Sequence, residues 1–248
     1  MSTLHERRRV AHELVLRDVT VAAVEDLSPR MRRVHLEGES LRGFTSIAAD
    51  DHIAILIPGE DGEYIKRHYT PRSFDPESLR LTIDFALHEA GPATDWALSA
   101  DVGTPLRLGG PRGSFVVEDD FDWYLLIGDE TAWPAIARHL ERLREDVPVF
   151  TIGLIHDEDE IQTASRACDW RPRWLPRGEP STDDASLVLA MLSTLELPEG
   201  DGYVWIAGES GTTKAIRSAL IERGHPREWL YASGYWKQGV SDVHDKFE

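Results

Sequence analysis

The chain has 248 residues, 41% of them apolar and 29% charged, enough for one large domain or two of ordinary size with full cores. With 44 acidic residues against 27 basic ones and a formal net charge of −17, it lacks the balance needed to grip nucleic acid, and the same charge repels an acidic ferredoxin. Its apolar runs are too short to cross a membrane, and its single cysteine, Cys168, leaves no internal disulfide or cysteine-clustered zinc site and suits a reducing cytoplasm.

The opening "MSTLHERRRV" has arginines but no apolar stretch behind them, so it does not read as a secretory signal. The basic clusters "ERRR", "PRMRR" and "RPRWLPR" read as solvated faces. Strand follows strand after that. "HELVLRDVTVAAVEDL" is valine-rich, "MRRVHLEG" alternates, and "DHIAILIP" is a short apolar run closed by Pro58 and Gly59. "LRLTIDFALH" puts Leu79, Leu81, Ile83, Phe85 and Leu87 on one face. A helix over "GPATDWALSA" interrupts the series, and "TPLRLGG" and "PRGSFVV" complete it. Close strands with Gly, Pro and Asp between them predict an antiparallel β-barrel or sandwich over residues 1–120.

From Phe121 the pattern changes. "DWYLLIG", "VPVFTIGLI" and "GYVWIAG" are buried-strand runs, each followed by a helical stretch: "ETAWPAIARHLERLRED", "DDASLVLAMLSTLEL" and "SGTTKAIRSALIERG". The alternation predicts an α/β unit with a parallel sheet over residues 121–248.

A barrel followed by an α/β unit can carry electrons from a nicotinamide to a flavin, and "RHYTPRSFD" reads as the flavin contact. Tyr69 offers a flat ring, Thr70 a hydroxyl for the ring edge, and Arg67 a cation for phosphate, with Arg72 as a second cation. Alternation puts Arg67 and Tyr69 on one face, and Pro71 is expected to stop the strand. An edge strand with surface arginines fits the same residues. In "HEAGPATDWA", Gly91 and Pro92 open a helix whose first turn holds Ala93 and Thr94, a ready anion site for a pyrophosphate.

These segments, with "GGPRGSF", "GDETAWPAIARHLE", "WLPRG", "GYVWIAGES" and "YASGYWKQG", together resemble the siderophore-interacting proteins, or ferric-siderophore reductases, of the ferredoxin reductase superfamily. The likeness runs from about residue 13 to about residue 239. It implies a cytoplasmic FAD enzyme that takes electrons from NADH or NADPH and passes them to the Fe(III) of a ferric siderophore, releasing Fe(II); a monomer is expected. It implies that Arg67, Tyr69 and Thr70 hold the flavin, that Gly91, Ala93, Thr94 and Trp96 surround the pyrophosphate, and that His88 lies beside the ribityl or phosphate region. No catalytic side chain beyond the flavin and no resident metal are expected.

In "GDETAWP", Asp129 and Glu130 stand where a dinucleotide turn offers bare N–H groups; they would repel a pyrophosphate, though they favour the helix start. Thr131 is left as a neutral contact for the flavin or nicotinamide. The acidic run Asp157–Glu160 after the second α/β strand suits a ribose hydroxyl and so NADH, or is a solvated loop. Arg112 and Lys237 are the expected cations for an anionic siderophore. Ala54 stands where the family usually has lysine, and Gln238 follows Lys237 where a second base is common, which opens the way to a less anionic chelate. Two alternatives share these residues: a flavin-dependent NAD(P)H oxidoreductase with another acceptor, and a siderophore-binding protein that performs no chemistry.

Overall fold

The computed structural model describes residues 5–59, 62–88, 91–166, 168–181, 183–240 and 245–247. They form two compact units: Arg7–Val117, and the chain from Glu118 onward together with His5 and Glu6.

The first unit holds β1 (Arg7–Ala11), β2 (Leu16–Ser28), β3 (Met31–Glu37), β4 (Ile53–Pro58), β5 (Tyr64–Tyr69), β6 (Pro71–Asp75), β7 (Arg80–Ala86), helix α1 (Pro92–Ser99), β8 (Pro105–Gly109) and β9 (Gly113–Val117). Seven strands make one antiparallel sheet in the order β5-β4-β8-β2-β3-β7-β6, and β1 pairs with β9 in a separate ladder. The two edge strands, β5 and β6, are consecutive in sequence and joined through Thr70 alone. The sheet must therefore curl until its edges meet at that residue, which makes a half-barrel closed by chain continuity. Pro71 accordingly does not stop the extended chain. It opens β6 and marks the change of partner from β4 to β7.

The inward face is Val34, Leu36, Ile53, Ile55, Leu81, Ile83, Phe85, Leu106 and Leu108, and α1 packs Trp96 and Ala97 into it. Leu81, Ile83 and Phe85 take the expected face, while Leu79, in a turn with φ 50°, and Leu87, past the strand end, pack against its rim. The "ERRR" arginines are exposed, as their reading requires, but they sit on strand β1.

The second unit holds β10 (Trp123–Gly128), α2 (Trp133–Arg142), β11 (Pro148–Ile155), β12 (Asp169–Pro176), α3 (Asp184–Thr194), β13 (Gly202–Glu209), α4 (Ser210–Glu222), β14 (Leu230–Trp236) and β15 (Asp245–Lys246). Strands β12-β11-β10-β13-β14 are parallel, and β15 joins β14 antiparallel. β10 is buried along its whole length, as a strand covered on both faces must be. Leu125 and Ile127 share a cluster with Val188 and Leu192 of α3 and Ile216 and Leu220 of α4. β12 is a strand where the sequence had suggested only a basic cluster. Its Arg171 and Arg173 are exposed while Trp170 and Trp174 turn inward. Among the described residues, no helix is long and apolar enough to cross a membrane.

Candidate functional site

Ile65, Arg67 and Tyr69 form the half-buried face of β5, so Arg67 and Tyr69 do share one side. The Tyr69 ring lies 4.4 Å from that of Phe85, which lies 5.5 Å from Trp96 of α1. Phe85, which its alternation marks only as a core residue, thus packs between the strand end and the helix. Burial pushes the Tyr69 phenol above its ordinary range despite the nearby Arg67, so the ring is neutral at any physiological pH. Arg67 donates to the carbonyl of Lys66 at 2.8 Å and has no carboxylate partner among the described residues. Arg72 is differently placed. Its Nε is 3.8 Å from Asp84, which also takes a two-pronged pair from Arg33 at 2.7 and 2.9 Å. Thr70 is buried at the junction where the sheet edges meet.

Helix α1 starts as expected, with Gly91 as its cap residue and proline in its first turn. Gly91 supplies no side chain to close the helix end. The Thr94 hydroxyl is buried without a hydrogen-bond partner among the described residues. Ala93 and Trp96 are buried beside it, and exposed His88 brings its ring to 3.3 Å from where a Cβ on Gly91 would stand. Glu89 and Ala90, between them in the expected motif, lie outside the described residues. An open helix N-terminus with an orphaned hydroxyl in its first turn fits the phosphates of a dinucleotide cofactor, because each of those groups is a donor waiting for an anion. Arg112, after the β8–β9 turn, is exposed, and its carbonyl accepts from His12 N at 2.9 Å.

In the other unit, the turn after β10 places Asp129 inward, 4% exposed. Its Oδ1 accepts from Thr131 N and Oγ1 at 3.0 and 2.6 Å, and its Oδ2 from Glu209 N at 3.0 Å and Trp236 Nε1 at 2.8 Å. The Thr131 hydroxyl hydrogen, expected to serve a cofactor, is spent here. Glu130 is half-buried; burial and the neighbouring Asp129 push its pKa up to about 7 against the pull of Arg177, whose guanidinium lies 2.6 Å away. Arg177 pairs also with Asp184 and its side chain is 1% exposed, so its charge is consumed within the fold. In the acidic run, Asp157 accepts from Asp159 N and Glu160 is buried. Lys237 is exposed, in a turn that Trp236 anchors to Asp129. The Asp129 cluster was not foreseeable from the local pattern, because two of its donors come from 80 and 107 residues away.

A family model described as "Siderophore-interacting protein" matches residues 121–239, and one described as "Siderophore-interacting FAD-binding domain" matches residues 20–66 and 58–115. The chain is 30% identical over 250 residues to the NADPH-dependent ferric-chelate reductase of Escherichia coli K12, covering 92% of this chain and 96% of that one. It is 30% identical to the ferric vibriobactin reductase ViuB of Vibrio cholerae, covering 87% of each. Among solved structures, a siderophore utilization protein from T. fusca superposes with a TM-score of 0.89 at 34% identity, covering 96% of this chain and 98% of that one. A ferredoxin reductase of carbazole 1,9a-dioxygenase, at 19% identity and a TM-score of 0.66, covering 89% of this chain and 69% of that one, shares the fold. The chain belongs to the siderophore-interacting protein family, built on the ferredoxin reductase-like fold.

Proposed function

We infer that this protein is an FAD-dependent ferric-siderophore reductase, driven by a reduced nicotinamide nucleotide and working in the cytoplasm where such donors are available. The reading rests on its relatives in E. coli and V. cholerae and, within this chain, on the α1 N-terminus with its unpartnered Thr94 hydroxyl. FAD, when bound, takes a hydride from a nicotinamide and gives single electrons to Fe(III).

The chain's own residues have four tasks in this reading. Ala93 and Thr94 of α1 meet the pyrophosphate with backbone N–H groups and the orphaned hydroxyl, and Arg67 adds the charge that a phosphate requires. Tyr69 gives its ring as a neutral, flat platform, and Phe85 and Trp96 hold that ring in place. Thr70 offers a hydroxyl at the closed edge of the sheet, and His88 stands at the mouth of the helix. Arg112 and Lys237 attract an anionic chelate to a protein that is otherwise strongly negative. Fe(II) then leaves because the oxygen ligands of a siderophore hold it far less tightly than Fe(III). No side chain is required to transfer a proton to or from the iron.

The acceptor half of the reading is tested without any nucleotide. Holoenzyme reduced by light under anaerobic conditions should return to the oxidised flavin spectrum when a ferric siderophore is added, and should not do so with the iron-free siderophore. Reoxidation by a soluble organic acceptor, with none by any ferric chelate, would favour the alternative oxidoreductase.

A further inference from the structure

The order β12-β11-β10-β13-β14 reverses its winding beside β10: the chain moves outward to β11 and β12, then returns to place β13 on the other side. In open parallel sheets a nucleotide enters the crevice at such a point, and its phosphates settle on the N-termini of the adjoining helices. Here a carboxylate stands in the turn before α2, and another caps α4. Asp129 fills the turn that leads into α2, where its two oxygens receive donors from Thr131, from Glu209 of β13 and from Trp236 of β14. Glu209 caps α4, accepting from Thr212 N at 2.7 Å. The backbone is shaped around the first of these. Gly208 has φ 140°, and a Cβ there would stand 2.6 Å from Asp129 Oδ2. The nearby cation that could receive a phosphate, Arg177, is committed to Glu130 and Asp184.

We propose that Asp129 and Glu209 are built-in substitutes for the donor's phosphates, so that this enzyme recognises only the dihydronicotinamide mononucleotide half of its donor and accepts reduced nicotinamides that lack the adenosine diphosphate portion. The proposal rests on the reading of the protein as a nicotinamide-driven reductase. It follows from the geometry in a simple way. Four donors gathered at the switch point are satisfied by a buried carboxylate, and its charge repels a second anion. Binding energy from the remote part of the donor, the usual source of discrimination among dinucleotides, is then forfeited.

The test compares NADPH, NADH and reduced nicotinamide mononucleotide as donors to the unmodified holoenzyme, with a saturating ferric chelate and a ferrous trap. The proposal expects the three kcat/KM values to agree within about tenfold. A preference of more than about tenfold for either dinucleotide over the mononucleotide overturns it. A second measurement reads the crevice directly. Asp129→Gly leaves its donors vacant, so the variant should melt at a lower temperature than the parent and recover saturably as inorganic phosphate is added, at concentrations that leave the parent unmoved. A folded variant whose melting ignores phosphate contradicts the proposal. If no nicotinamide reduces the bound flavin while the light-reduced enzyme still delivers electrons to iron, the donor reading has failed; the phosphate titration still decides the proposal about the crevice.

Discussion

At the scale of single residues, the proposed cofactor site rests on Arg67 and Thr94, and they make separable predictions. Arg67 has no carboxylate partner among the described residues, so little within the fold depends on its charge. Arg67→Ala should purify with most of its FAD lost yet melt like the parent's apoprotein, because a phosphate loses charge-assisted bonds and the sheet loses almost nothing. Tyr69→Ala should lose less FAD but melt lower, since its ring packs on Phe85. Flavin content by absorbance and apoprotein melting together read both; full flavin loading in both variants would displace the site from this strand. Thr94 behaves oppositely. A buried hydroxyl without a partner costs about 1–3 kcal/mol, so Thr94→Val should stabilise the apoprotein by on the order of 1 kcal/mol while weakening FAD binding about tenfold. A variant that weakens both, or neither, would mean that the hydroxyl does not wait for the cofactor.

Elements show where the sequence was legible and where it was not. β10 and β13 could be read because a strand covered on both faces needs an unbroken apolar run, and α1 because proline and glycine mark its start. β12 could not. It alternates from Asp169 to Trp174, but its outward residues are an aspartate and two arginines and its inward ones two tryptophans and a proline, so charge hid the period. The acidic character of the turn "GDETA" is plain in the sequence, but the four donors gathered on Asp129 are not, because its partners on β13 and β14 are set by sheet order and not by spacing. His5 was missed for the same reason. Its imidazole stacks on Phe121 with ring centres 3.9 Å apart and lies between Asp120 at 2.9 Å and Asp201 at 3.1 Å. Burial pulls its pKa down, but the hydrogen bonds and charges of the two carboxylates outweigh this and leave it above the ordinary histidine value. A raised pKa contributes stability that is complete below the unfolded-state value, near 6.5, and is lost as pH climbs through the folded-state value. Melting temperature should therefore fall more steeply as pH rises above about 6.5 in the parent than in His5→Ala. Parallel curves would show that the latch does not titrate.

At the scale of the whole molecule, a net charge of −17 would repel an anionic iron chelate unless local cations offset it. Exposed Arg112 and Lys237 are the expected means, and each is worth little in isolation: opposite charges about 4 Å apart interact by roughly 4 kcal/mol at a surface-like dielectric, and solvent and salt leave about a quarter of that. Either alanine variant should raise KM for an anionic chelate up to about tenfold, less at high salt, and leave a neutral chelate unaffected. Equal losses on both chelates would assign the residues a structural role. The central claim concerns what the two units accomplish together, electron flow from a nicotinamide through flavin to chelated iron. It is tested most directly by anaerobic turnover of the purified holoenzyme with NADPH, a ferric siderophore and a ferrous trap. The account predicts that trapped Fe(II) grows with donor consumed in a ratio of about two irons per donor, because a hydride carries an electron pair and Fe(III) accepts a single electron, and that apoprotein gives none until FAD is restored. Donor oxidation that proceeds with no Fe(II) trapped, or iron release that is the same without flavin, would contradict it.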